Sequence, residues 1–216
     1  ELFGQVEEIP QTEKTPFHPR SPYAVAKLFA HWSTINYRES YGLFATCGIL
    51  YNHESPLRSK EFVTRKITHT VARIALRQQD LLVLGNLDVS RDWGYAKEYV
   101  IGMHRMMQHD VADTFVLATN RTASVREFTD LAFQAVGTDL IWEGTGLNAC
   151  AIERKSGQLR VRVDQDFYRP CEVGTMQGDA SKARDLLGWQ ANTRLEQLCQ
   201  LMVQEDFRRV EKGVPF

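Results

Sequence analysis

Two residues with complementary chemistry lie one helical turn apart in this sequence. Tyr23 and Lys27 are four positions apart, which places a phenol and an ammonium group on the same face of a helix. A cation beside a phenol favours the phenolate, and such a tyrosine can take a proton from a substrate hydroxyl near neutral pH. An unperturbed phenol, with a pKa of about 10, does this poorly. The pair therefore indicates a general base, although a surface tyrosine packed on a lysine stem has the same spacing.

The sequence around the pair favours the general base. Ser21 and Pro22 suit the cap and the first position of a helix, and apolar residues then recur every three or four positions to about position 42. Residues 43–51 form an almost wholly apolar run, as in a strand buried on both faces of a parallel sheet. Asn52 and His53 follow this run directly, at the strand end where parallel α/β sheets bind ligands.

Helices and strands alternate along the rest of the chain. Further helices are predicted at about 61–76, 95–108, 124–137, 180–187 and 194–211, and further strands at 81–84, 114–118, 140–143 and 159–163. Ser124 with Glu127, and Thr193 with Glu196, match the capping-box pattern that starts a helix. Residues 144–157 are predicted to form a loop. The alternation favours an α/β protein with a mainly parallel sheet.

The composition excludes several classes of function. The 216 residues include 26 Lys and Arg against 27 Asp and Glu, so nucleic acid is not an expected partner. No apolar run reaches the roughly 18 residues of a membrane span, and the first residues do not resemble a signal peptide, so we expect a cytoplasmic protein. The widely spaced cysteines suit reduced, structural thiols, and neither they nor the histidines have zinc-ligand spacing. These cysteines are Cys47, Cys150, Cys171 and Cys199.

The phosphate-binding signature of a dinucleotide fold is missing from this sequence. Neither Gly-x-Gly-x-x-Gly nor Gly-x-x-Gly-x-x-Gly occurs in its 216 residues. The first residue is Glu1, and the opening stretch reads like the end of a strand that runs into a proline-containing loop. We therefore expect that the chain is the carboxyl-terminal part of a longer protein and that the first β-α unit lies upstream.

A series of distinctive blocks accompanies the Tyr-x-x-x-Lys helix. The blocks are Glu1–Gly4, Thr15–Lys27, Asn36–Gly42, Asn52–Pro56, Phe62–Thr68, Arg91–Gly94 and Phe167–Pro170. In type and order they resemble the extended short-chain dehydrogenase/reductase family and, within it, the GDP-mannose 4,6-dehydratases. The resemblance implies a Rossmann-type fold, NADP as cofactor and GDP-mannose as substrate. The implied reaction is an internal redox dehydration that gives GDP-4-keto-6-deoxymannose.

The same resemblance implies a role for each matched position. Tyr23 would take the proton from O4 of the mannose, Lys27 would hold the ribose hydroxyls of the cofactor, and Glu1 would remove the C5 proton. The implied NADP contacts are Tyr23, Lys27, His53 and Arg58. The implied GDP-mannose contacts are Asn52, Val63, Lys66, Arg91, Arg169 and Glu172. Among the latter, the guanidinium groups suit a diphosphate and the carboxylate suits the guanine edge.

The resemblance also implies a domain division and an assembly. Residues 1–56 and 82–112 would form the rear part of a Rossmann-type dinucleotide-binding domain. Residues 57–81 and 113–216 would form a smaller domain that binds the sugar nucleotide. A homodimer or homotetramer is implied, with the loop of Arg58 near a subunit contact.

Two other functions remain open from the sequence. A related epimerase or 4-reductase would use Tyr23 and Lys27 but would not need Glu1 as a base at C5. A non-catalytic chain would bind only a sugar nucleotide or make only subunit contacts, because the dinucleotide-binding half is not in the sequence. The effect of changing Glu1 separates the first alternative from a dehydratase, and NADP binding separates the second.

Overall fold

The structure is a computed structural model that describes residues 1–168 and 176–214. Its helices in these ranges are α1 (Pro22–Tyr41), α2 (Val63–Ala75), α3 (Ala96–Met107), α4 (Val125–Gln134), α5 (Ser181–Leu187) and α6 (Leu195–Glu211). Its strands there are β1 (Cys47–Leu50), β2 (Asn52–Glu54), β3 (Leu82–Leu84), β4 (Ser90–Arg91), β5 (Trp93–Tyr95), β6 (Thr114–Leu117), β7 (Ala123–Ser124), β8 (Leu140–Glu143), β9 (Cys150–Glu153) and β10 (Leu159–Val163). None of the described helices combines the length and apolar character that a membrane span requires.

The chain divides into two units, each with its own core. Unit 1 comprises Glu1–His53, Ser90–Thr122 and Val173–Asn192. Unit 2 comprises Glu54–Val89, Ala123–Glu172 and Thr193–Phe216.

In unit 1, the two apolar strands β1 and β6 lie side by side. They pair in parallel, with Cys47 opposite Thr114 and Leu50 opposite Leu117. Their side chains pack into a buried cluster that includes Phe115 and Trp189. This parallel pair, flanked by helices in the chain, confirms the predicted α/β class.

Helix α1 begins and ends where its local sequence predicts. The Ser21 hydroxyl accepts a hydrogen bond of 3.1 Å from the Ala24 amide, and Pro22 occupies the first helical position. Gly42 ends the helix with a φ of 65°, a left-handed conformation in which glycine carries no side-chain penalty.

Among its described residues, unit 2 contains a four-stranded sheet and three helices that pack together, of which α2 contacts strand β3. The strand order is β3-β10-β9-β8, with β10 parallel to β3 and antiparallel to β9. Helices α2, α4 and α6 contact one another. Their fully buried side chains include Ile67 in α2, Phe128 in α4 and Leu198 in α6.

The structure differs from the sequence-based expectations in several places, and it contains the short strands β2, β4, β5 and β7, which the sequence pattern does not predict. The predicted loop at 144–157 is wrong in part, because it contains β9, a four-residue strand that pairs with β8 and β10. The strand predicted at 43–51 is shorter and starts at Cys47. The division into units also differs, because β6 pairs with β1 and belongs to unit 1, whereas β3 pairs with β10 and belongs to unit 2.

Candidate active site

The predicted pair on α1 is brought together at the surface of unit 1. The Lys27 ammonium nitrogen lies 5.8 Å from the centroid of the Tyr23 ring. The Tyr23 side chain is 59% exposed, so a ligand can reach its phenol. The spacing of four therefore places a phenol and an ammonium group side by side, as the sequence predicts.

Ser21 fixes the carboxylate of Glu1 at the start of the same helix. The Ser21 hydroxyl donates a hydrogen bond of 2.9 Å to Oε2 of Glu1 while it accepts the bond from Ala24 that caps α1. The backbone of the opening segment is fixed as well, because the Phe3 carbonyl accepts a hydrogen bond of 3.2 Å from the amide of His18. The Glu1 carboxylate and the Tyr23 phenol therefore both belong to the segment of unit 1 that ends in the first turn of α1. The sequence indicated Ser21 only as a cap, and its bond to Glu1 was not foreseen.

His53 and Asn52 lie just beyond the carboxyl end of β1. Nδ1 of His53 is 3.0 Å from the Tyr51 carbonyl, which can only accept, so Nδ1 donates the hydrogen. In the neutral ring, Nε2 is then the acceptor. The ring also stacks on Tyr99 at a centroid distance of 5.3 Å. Asn52, in β2, is half-buried.

Arg91 is next to a buried carboxylate that sequence reasoning did not single out. Arg91 is half-buried, and its Nη1 donates a hydrogen bond of 2.8 Å to the Ser90 carbonyl. The neighbouring Asp92 is 0% exposed, and its Oδ1 accepts hydrogen bonds of 2.9 and 2.7 Å from the amide and hydroxyl of Thr119. Burial raises the pKa of Asp92 to about 6, against the opposing effect of these and other hydrogen bonds. Asp92 therefore anchors the backbone that carries Arg91.

Unit 2 carries three more of the predicted residues, which lie on α2 or in the loop before it. The Arg58 guanidinium carbon is 3.5 Å from the centroid of the Phe62 ring. Val63 is the first residue of α2. The Lys66 ammonium nitrogen lies 3.6 Å from the centroid of the Phe167 ring. Burial lowers the pKa of Lys66, although the charge of Asp164 acts in the opposite direction.

Arg169 and Glu172, the two remaining predicted substrate contacts, lie outside the described residues. Their roles therefore stay predictions from the resemblance.

Two solved structures share the fold of this chain. RMD from Pseudomonas aeruginosa, complexed with NADPH, superposes with a TM-score of 0.81 at 23% identity and covers 96% of this chain and 64% of that chain. The dTDP-glucose 4,6-dehydratase from Bacillus anthracis, in complex with NAD, superposes with a TM-score of 0.78 at 18% identity and covers 99% of this chain and 61% of that chain. At such low identity these likenesses establish the fold. The chain is therefore an α/β protein with a Rossmann-type fold.

Sequence comparison narrows this class to one family. The model of the GDP-mannose 4,6 dehydratase family matches residues 1–202. The GDP-mannose 4,6-dehydratase of Sinorhizobium fredii is 53% identical over 206 residues, which cover 95% of this chain and 59% of that protein. GDP-mannose 4,6 dehydratase 2 of Caenorhabditis elegans is 52% identical over 211 residues, which cover 98% of this chain and 55% of that protein. The chain belongs to the GDP-mannose 4,6-dehydratase family, and it spans between 55% and 59% of the length of these curated relatives.

Proposed function

We propose that the protein is a GDP-mannose 4,6-dehydratase that converts GDP-mannose into GDP-4-keto-6-deoxymannose. The observation that carries this proposal is the hydrogen bond from Ser21 to Glu1, which holds a carboxylate beside the helix that bears Tyr23 and Lys27. A dehydration needs a base at C5 in addition to the tyrosine at O4, whereas an epimerase or a 4-reductase does not need a base at C5. Membership of the family agrees with this assignment.

The residues on α1 suit the ribose side of NADP. Tyr23 is exposed and Lys27 presents an ammonium group beside it, so a ribose diol can accept hydrogen bonds from the lysine and lie next to the phenol. His53 offers an Nε2 acceptor, and Arg58 in unit 2 offers a guanidinium group for a phosphate. When bound, NADP supplies the acceptor for the C4 hydride and is regenerated within the same turnover.

Of the three proposed catalytic residues, Tyr23 and Glu1 each take up one proton, and Lys27 supports Tyr23. Tyr23 takes the O4 proton as C4 becomes a ketone. The ketone acidifies the neighbouring C5–H bond, and the Glu1 carboxylate takes that proton. Glu1 passes this proton to the C6 hydroxyl, which leaves as water. The hydride taken from C4 is returned to C6, and Tyr23 returns its proton to C5. Lys27 holds the ribose and places a cation 5.8 Å from the centroid of the Tyr23 ring.

The charged residues that remain suit the GDP part of the substrate. We assign Arg91, Arg169 and Lys66 to the diphosphate, because guanidinium and ammonium groups bind phosphate oxygens. Partial burial leaves Lys66 less hydrated than a surface lysine, which favours an anionic ligand. Asn52 and Val63 are assigned to the sugar nucleotide, and Glu172 to the guanine edge.

The test uses GDP-mannose, NADP and mass spectrometry. The full-length gene product should convert GDP-mannose into a species that has lost one water, and the 216-residue chain should be assayed in parallel. Glu1→Gln should abolish water loss while NADP is still reduced, and Tyr23→Phe should abolish both. Glu7→Gln, at an exposed glutamate of the same segment, is the control and should be as active as the unmodified protein. Full water loss by the Glu1→Gln variant would refute the role of Glu1 as the base at C5, and no water loss by the unmodified protein would favour the epimerase or 4-reductase instead.

We also propose a cytoplasmic homodimer or homotetramer. Phe29, Trp32 and Tyr41 are exposed apolar side chains on α1, and a partner chain would cover them. Buried free thiols such as Cys47 and Cys199 suit a reducing compartment. Mass photometry of the full-length gene product should give twice or four times the chain mass, and a monomer would count against the assembly.

A further inference from the structure

Unit 2 contains an ion pair that is completely buried. Arg65 in α2 and Asp206 in α6 both have 0% side-chain exposure. Nε of Arg65 donates hydrogen bonds of 2.7 and 2.9 Å to the two carboxylate oxygens of Asp206. The Thr68 hydroxyl donates another bond of 2.7 Å to the same carboxylate. A buried pair of this kind contributes little net stability over well-packed apolar residues, so its retention calls for another reason.

The same arginine holds the loop that precedes α2. Nη1 of Arg65 donates hydrogen bonds of 2.7 Å to the carbonyl oxygens of both Pro56 and Arg58. Arg209 in α6 also donates to the Pro56 carbonyl. The planar guanidinium of Arg65 is fixed by Asp206 on one side, so it determines where these two carbonyls lie on the other.

The side chain of Arg58 is fixed in turn, with its free end outward. Its Nε lies 3.3 Å from Oε2 of the buried Glu54, and its guanidinium group stacks on Phe62. Oε2 of Glu54 itself accepts a bond of 2.6 Å from the Thr64 hydroxyl. The side chain of Arg58 is 26% exposed, and its two Nη nitrogens make no hydrogen bond to any residue within 1–168 and 176–214. This fork of donors suits a phosphate group.

We propose that Arg65, held by Asp206, is a positioning residue for anion binding by Arg58. The inference rests on the proposed function, in which Arg58 contacts NADP. Arg65 fixes the backbone of the loop, Glu54 and Phe62 fix the side chain, and the Arg58 fork is thereby presented in one orientation. Preorganisation of this kind lowers the entropy lost when the phosphate binds.

The test measures NADP affinity in the full-length gene product. Arg65→Lys keeps a positive charge beside Asp206, but an ammonium group cannot reproduce the fork that reaches two carbonyls and a carboxylate. We expect the Kd for NADP to rise about tenfold, the equivalent of about 1.4 kcal/mol, with kcat at saturating NADP unchanged. The double variant Arg65→Met with Asp206→Leu, which buries no lone charge, should show the same rise in Kd.

A double-mutant cycle with Arg58→Ala tests whether the effect passes through Arg58. If Arg65 acts by positioning Arg58, Arg65→Lys should raise the Kd in the unmodified background but add nothing in the Arg58→Ala background. Ile67→Ala, at a fully buried position of the same helix, is the control for destabilisation and should lower the Tm without changing the Kd.

Two contrary results have different meanings. If Arg58→Ala raises the Kd but Arg65→Lys does not, or if the effect of Arg65→Lys persists without Arg58, the positioning role is overturned and the proposed function stands. If Arg58→Ala itself leaves the Kd unchanged, the NADP contact assigned to Arg58 is overturned, and the inference about Arg65 falls with it.

Discussion

The buried carboxylate of Asp92 should make the stability of unit 1 depend on pH. Asp92 is 0% exposed, and burial raises its pKa from 3.8 to about 6. In the unfolded chain the group ionises near 3.8, so the folded state binds more protons between these two values. The unfolding free energy should therefore fall as pH rises through this window. The difference of about 2 in pKa corresponds to about 3 kcal/mol, reached once the pH is above the folded pKa.

The assay compares the protein with its Asp92→Asn variant by urea unfolding from about pH 4 to about pH 7.5. Asparagine keeps an acceptor oxygen for the two bonds from Thr119 but does not ionise. The buried Trp93 and Trp189 report the unfolding of unit 1 by fluorescence. The stability of the variant relative to that of the unmodified protein should increase by about 2 kcal/mol across this range, because part of the effect already develops below about pH 4.

A constant difference between the two proteins across this range would refute the argument that burial destabilises the ionised carboxylate. Asp113→Asn is the matched control. Partial burial opposes the shift at Asp113, but hydrogen bonds from Lys182 and Thr114 hold its pKa below the ordinary value. Its ionised form is therefore favoured by folding, and removing the carboxylate should give no gain in relative stability as pH rises.

Three further predictions concern packing, capping and thiol reactivity. In Gly94→Ala the new methyl group would lie 2.5 Å from the buried ring of Tyr99, so urea unfolding should show a loss of about 1–3 kcal/mol. Ser124→Ala removes the hydroxyl that accepts a bond of 3.0 Å from the Glu127 amide, and should cost about 1 kcal/mol by the same measurement. Burial raises the pKa of Cys199 to about 12, so this thiol should resist alkylation at neutral pH until the protein is unfolded, as peptide mass mapping can check.

Each of the three has a contrary outcome. An unchanged urea midpoint for Gly94→Ala would mean that Tyr99 can move away without cost. The control for Ser124→Ala is Ser156→Ala at an exposed position, and equal effects of the two would argue against capping. Cys150 is only half-buried and should be alkylated before Cys199, so the reverse order would contradict the role of burial.

The sequence predicts the helix boundaries well where local chemistry sets them. Ser21 and Gly42 lie at the two ends of α1, and Ser124 caps α4, because caps and left-handed ends depend on residues within one turn. Helix α6 begins within a residue of its predicted start, but its N-cap is Arg194 and not the predicted Thr193. Oε1 of Gln197, one position after the predicted Glu196, accepts a hydrogen bond of 3.0 Å from the Arg194 amide. Such features need no knowledge of the rest of the fold.

The sequence pattern did not predict which strands pair when their residues are far apart in the chain. Strand β9 has four residues without clear alternation, and only its partners β8 and β10 make it a strand. Strand β3 joins unit 2 because Leu82 pairs with Val161, a contact between residues that are far apart in the chain. A prediction made along the chain assigns such a strand to the same domain as its neighbours in the sequence.

Some residues of the candidate site could likewise be predicted from the sequence, and others could not. Tyr23 and Lys27 can be recognised from the sequence because one helix carries both, whereas the role of Glu1 required the family resemblance. Neither approach identified Asp92 or Arg65, since a charged residue is ordinarily expected at the surface. Arg65 reaches a partner 141 positions away, and no periodicity in the sequence marks that contact.

Asp92 and Arg65, which were not predicted from the sequence, each lie next to a residue that is proposed to bind a ligand. Asp92 adjoins Arg91, and Arg65 holds the carbonyl of Arg58. Both are buried charges, which folding alone does not favour. If their function is to fix the neighbouring cation, replacing them with neutral or apolar groups should preserve or raise stability and weaken ligand binding. In the Asp92→Asn variant near neutral pH, and in the Arg65→Met, Asp206→Leu double variant, stability should therefore stay the same or rise while ligand affinity falls. An ordinary core substitution such as Ile67→Ala should lower stability alone.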